Sequence, residues 1–112
     1  MKVNQKQQGD VEVFEISGEL DFHVTPQVRD KVQQVIQKQA KKIVVNLKGV
    51  SYIDSSGLAL FVETLQKMKR YGGKLVLTEL AAPVRSVFEI AKLDKVFSLA
   101  NSESEALQAV NQ

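Results

Sequence analysis

An acid, two hydroxyls and a glycine stand together at Asp54-Ser55-Ser56-Gly57, between Tyr52-Ile53 and the apolar run that begins at Leu58. At the first turn of a helix such side chains can cap unpaired backbone N–H groups, and those N–H groups with the helix dipole also accommodate a phosphate. One cap needs one oxygen, whereas Asp54, Ser55 and Ser56 supply three candidates. A spare hydroxyl is a candidate acceptor for a phosphoryl group, which would add about −2 charge. The helix end would tolerate that charge. Asp54 would repel it, as would Asp21 if the segment GELDFH at 18–23 meets the same end of the fold. A modification there would leave the fold nearly unchanged and reverse what the surface binds.

Asp21, His23 and Ser55 also have the composition of a catalytic triad. A hydrolase needs its nucleophile on a strained elbow with a base in reach and an oxyanion hole, and the chain has no GxSxG. His23 is read as a partly exposed surface residue, and an enzyme is not expected. Gly72-Gly73 belongs to neither GxGxxG nor GxxxxGK[ST], so a helix C-cap explains the pair better than a phosphate cradle. The chain has no cysteine and one histidine, which leaves little with which to build a metal site, and no cofactor is expected.

The elements that must position these residues are legible from periodicity and punctuation. VEVFEIS at 11–17 reads as a strand ending at Gly18, with a weaker strand before it across a turn at Gly9-Asp10. Thr25-Pro26 offers an N-cap and a first helical residue for a helix carrying Val28, Val32, Val35 and Ile36 inward. IVVNL at 43–47 is apolar enough for a strand covered on both faces. After DSSG, Leu58, Phe61, Val62, Leu65 and Met68 mark the predicted inner face of a second helix. KLVLT at 74–78 is another strand, and Pro83 opens a helix with Val84, Val87, Phe88 and Ala91 inward. KVFSL at 95–99 is a last short strand, and Ser102 with Glu105 forms a capping box for a C-terminal helix.

The order β(β)αβαβαβα predicts an α/β domain with a central mixed, mainly parallel sheet and about four helices. At 112 residues the chain is expected to form one domain over 1–112. Its N-terminus, MKVNQKQQGD, is too polar for a secretory signal, and no apolar run approaches the roughly 20 residues that span a bilayer, so a cytoplasmic location is expected. A net charge of +2 does not argue for nucleic acid. Lys67, Lys69 and Arg70 fall at a predicted helix end, where cations complement the dipole.

GELD at 18–21, IVVNLKGVSYIDSSGLALF at 43–61, GGKLVL at 72–77 and LDKVF at 93–97 together resemble the STAS domain of bacterial anti-sigma-factor antagonists. The resemblance covers essentially the whole chain in order and spacing. It implies a partner-switching regulator that, when unphosphorylated, binds an anti-sigma factor that is also a serine kinase of the histidine-kinase-like ATPase fold. The sigma factor is thereby released. Phosphorylation of the serine directly after the motif aspartate, here Ser55, reverses the binding, and a metal-dependent serine phosphatase restores it. Asp21 matches the family's acid near that serine, and Ser56 and Gly57 match its two following small residues.

Asp21 and Asp54 are expected to orient the Ser55 hydroxyl or help place the partner's metal-nucleotide. Leu60, one turn beyond Ser56, is either covered by a neighbouring helix or exposed beside the serines. The docking surface is assigned to Leu58, Ala59, Leu60, Glu63, Thr64 and Lys67, with no direct contact to nucleic acid or membrane. A second reading keeps the fold and makes the chain a regulatory subunit of a membrane transporter.

Overall fold

Residues 1–112 are all described by a computed structural model. The elements run β1 (Lys2–Gln8), β2 (Val11–Leu20), α1 (Thr25–Gln37), β3 (Lys42–Ile53), α2 (Ser55–Arg70), β4 (Lys74–Thr78), α3 (Ala82–Ile90), β5 (Ser98–Ala100) and α4 (Glu103–Val110). The five strands lie side by side in chain order, β1 antiparallel to β2 and the remaining neighbours parallel. Right-handed crossovers that all step in one direction must leave their helices on one face of the sheet. Accordingly α1, α2 and α3 pack Val28, Val32, Leu60, Phe61, Val84 and Phe88 with Phe14, Ile43 and Val45 of the sheet. The last helix, α4, covers the other face, with Ala106 and Val110 on Val11, Val13, Val44 and Val76. No helix is long and apolar enough to cross a membrane.

Burial on both faces explains why IVVNL is nearly all apolar. Its one polar residue, Asn46, is only 8% exposed, and its amide donates to Glu79 at 2.9 Å and to Glu103 at 3.2 Å. That buried amide ties the sheet to the first turn of α4. Ser102 caps the same turn by accepting from the backbone N–H of Glu105, while the Glu105 carboxylate accepts from Asn101 rather than from Ser102 itself. Replacing Ser102 with Ala should cost about 1 kcal/mol, read as a melting temperature about 4 °C lower.

Several boundaries differ from those expected. β3 continues six residues beyond Leu47 to Ile53, so it leads directly into Asp54. Between Glu15 paired with Asn46 and Ser17 paired with Gly49, the register slips by one residue, and it slips again after Gly18. These bulges turn Val50 and Ile53 inward three positions apart, which breaks the period of two. Thr25 is the first residue inside α1 rather than its cap, because the preceding loop turns on the Asp21 carbonyl and carboxylate. Ala91 is exposed at the C-cap of α3, and the last strand begins only at Ser98, after a turn that still buries Phe97.

Cations that are scattered in sequence meet at the end of the sheet remote from Ser55. There Lys42 pairs with Asp10, Lys41 donates to the Tyr71 carbonyl and Lys74 to the Gln112 carbonyl. Each of the three is thus engaged with the chain itself.

Candidate functional site

The carboxyl ends of β2 and β3 are neighbours, Leu20 lying opposite Ile53, so the two segments singled out in the sequence emerge together. The Asp54 backbone N–H donates to the Leu20 carbonyl at 3.2 Å. Asp54 is the N-cap of α2. One of its carboxylate oxygens accepts from the N–H of Ser56 at 2.9 Å, from the N–H of Gly57 at 3.2 Å and from the Ser56 hydroxyl at 2.6 Å. Its other oxygen accepts from the N–H of Phe22 at 3.0 Å. A single side chain therefore caps the helix and clamps the other loop to it. The Ser56 hydroxyl, followed by those backbone donors, holds the Asp54 carboxyl below the ordinary carboxylate range, against the opposing effect of burial.

The three candidate cap oxygens are resolved by this geometry. Asp54 is the cap, and Ser56 is half-buried and spends its proton on Asp54. Thr25 spends its proton on the Asp21 carbonyl at 2.7 Å. Each hydroxyl has one proton, so the 3.2 Å approach between Thr25 and Ser56 is packing rather than a third donation. Ser55 is exposed at the first position of α2, and its hydroxyl makes no hydrogen bond within the chain.

Asp21 shapes the facing loop. Its carboxylate accepts from the N–H groups of His23 at 2.9 Å and Val24 at 3.3 Å. No hydrogen bond joins the His23 imidazole to Asp21 or Ser55; the ring lies instead against Phe22, centroids 4.1 Å apart. The relay that a triad requires is not assembled.

Gly57 sits on the buried side of α2, where a Cβ would lie 2.7 Å from Ile53 Cγ1 and 3.0 Å from the Leu20 carbonyl oxygen. The helix start is thus pressed against the strand ends, and that contact fixes the rotation of everything after it. Leu60, Phe61, Thr64 and Met68 follow Gly57 inward, while Leu58, Val62 and Leu65 form a half-buried flank. Two docking assignments are corrected accordingly. Leu60 is fully buried and Thr64 is 1% exposed, its hydroxyl satisfied by the Leu60 carbonyl, so neither faces a partner. Ala59 is exposed and Leu58 half-exposed; Glu63 and Lys67 remain at the surface, where Glu63 bridges Arg29 of α1 at 2.9 Å and Lys67 at 3.5 Å.

Two residues that sequence reasoning passed over stand at this end of the molecule. Phe22 is 65% exposed and Tyr52, three residues before Ser55, is 52% exposed. The available signal was an aromatic side chain beside each of the two polar motifs.

The chain matches the STAS domain family over residues 2–106. It is 32% identical to the anti-sigma-B factor antagonist of Bacillus subtilis, covering 96% of this chain and 98% of the relative. Among solved structures, a protein of Thermotoga maritima superposes with a TM-score of 0.93 at 25% identity, over 98% of this chain and 95% of that one. The Bacillus cell fate determinant SpoIIAA in its phosphorylated form superposes with a TM-score of 0.76 at 27% identity, over 97% of this chain and 99% of that one. A family match spanning nearly every element from β1 into α4, together with relatives matched along almost their full lengths, establishes that the chain belongs to the STAS domain family.

Proposed function

We propose that the chain is an anti-sigma-factor antagonist, bound to an anti-sigma factor when Ser55 is unmodified and released when Ser55 carries phosphate. One observation carries this reading: at a junction of hydrogen-bonded polar side chains, the Ser55 hydroxyl alone is exposed and without a partner. The name of the Bacillus subtilis relative and the phosphorylated state of SpoIIAA support it. The anti-sigma factor would itself be the serine kinase, of the histidine-kinase-like ATPase fold, and a serine phosphatase would reset the switch. A phosphate on Ser55 would stand next to an ionised Asp54, which is already committed to backbone donors and cannot turn away. The N-terminal end of α2 offsets that repulsion within the fold, and the added charge then confronts the incoming partner surface.

The test is recovery of the protein with its companions from its own cells, with and without ATP, and mapping of phosphate by mass spectrometry. Co-purification of an anti-sigma factor only with the unmodified protein, and phosphate on Ser55, are expected. Phosphate confined to another residue would overturn the assignment.

Asp54 also gives a pH signature. Its carboxyl titrates lower in the folded chain than in the unfolded one, so its contribution is complete above the unfolded value of about 3.9 and is lost as pH falls through the folded value. The protein should therefore lose stability below about pH 4. Asp54→Asn should show a lower melting temperature at pH 7 and a shallower fall in acid, measured by thermal unfolding across pH 2–7.

A further inference from the structure

We infer that Phe22 is an apolar anchor that inserts into an apolar, uncharged pocket on the anti-sigma factor. The inference rests on the antagonist reading above and names what that partner's surface must offer.

An exposed phenylalanine on a loose loop needs no explanation. This loop is not loose. Four hydrogen bonds fix it: Phe22 N–H to Asp54, His23 N–H and Val24 N–H to Asp21, and the Thr25 hydroxyl to the Asp21 carbonyl. The ring is further held by the His23 imidazole lying at 32° to it. The chain therefore spends two carboxylates on fixing the backbone that presents an apolar ring to water. A ring carried on an ordered backbone loses less freedom on insertion than one on a loose loop, which favours its use as an interface anchor.

The surroundings specify the occupant. Phe22 sits between Asp21 and Asp54, with the exposed Glu19 on the strand below, and the Phe22 N–H touches the residue directly before Ser55. Both aspartates already accept from donors of the chain, so a complementary surface is apolar at its centre and brings no cation to its rim. A phosphate on Ser55 would enter that same contact.

The experiment titrates the purified anti-sigma factor of the same organism with the wild-type chain, Phe22→Ala, Phe22→Tyr and Ser55→Asp, with melting temperatures alongside. Phe22→Ala should weaken binding at least about tenfold with an unchanged melting temperature, and Phe22→Tyr should stay within about threefold of wild type. Phe22→Ala binding like wild type while Ser55→Asp fails to bind would overturn the anchor and leave the antagonist reading standing. Absence of binding by the wild-type chain would overturn both.

Discussion

Ser55→Asp should bind the anti-sigma factor at least about 100-fold more weakly than wild type, whereas Ser55→Ala should bind it as wild type does and resist release by ATP. The magnitude follows from burying an uncompensated carboxylate at an interface, which costs several kcal/mol at about 1.4 kcal/mol per tenfold. Ser55 has no internal hydrogen bond to lose, and a negative charge at the first position of α2 suits the helix dipole. The melting temperature of Ser55→Asp should therefore equal or slightly exceed that of wild type. Calorimetric titration read beside thermal unfolding separates the two effects. Equal affinity of the Asp and Ala variants would remove the switch, and a drop of many degrees in the Asp variant would mean that Ser55 is structural. The neighbouring position behaves oppositely. Ser56→Ala removes a hydroxyl that is committed to Asp54 at 2.6 Å, so there stability should fall.

Gly57→Val should destabilise the protein by about 3 kcal/mol. The new Cβ would meet the buried Ile53 side chain at 2.7 Å and a backbone carbonyl of β2 at 3.0 Å, and the branched methyls have no cavity to enter. Relief requires α2 to lift from the strand ends, which carries Ser55 away from the Phe22 loop. Phosphorylation by the kinase should accordingly slow by more than the loss of folded protein accounts for. Gly72 gives the control: a Cβ there meets nothing within 4 Å, and only its φ of +79° resists substitution. Gly72→Ala should cost about 1 kcal/mol and leave phosphorylation unchanged. Chemical denaturation with a single-turnover kinase assay checks both variants.

The element order and the pairing of the two motifs were legible in the sequence because each strand is bounded by turn residues and each helix repeats its apolar positions. The rotation of α2 was not. Leu58, Val62 and Leu65 are more apolar than Gly57 and Thr64, so periodicity alone selects the wrong stripe by one position. Thr64 can be buried only because its hydroxyl reaches the Leu60 carbonyl, a contact no pattern reveals. The outer half of β3 was hidden for a different reason, since its bulges place Val50 and Ile53 inward out of alternation. Phe22 carried no signal in the sequence because the hydrogen bond that clamps its backbone comes from Asp54, 32 positions away.

The coincidence of strand order in the sheet with strand order along the chain bears on how the molecule is made. Each strand pairs with the one synthesised just before it, so no later segment has to be threaded between two already joined. A nascent chain emerging from the ribosome can extend its sheet one edge at a time, with α4 arriving last to shut the second face. Incomplete chains ending before α4 should consequently expose Val11, Val13, Val44 and Val76 together and be the species that chaperones hold.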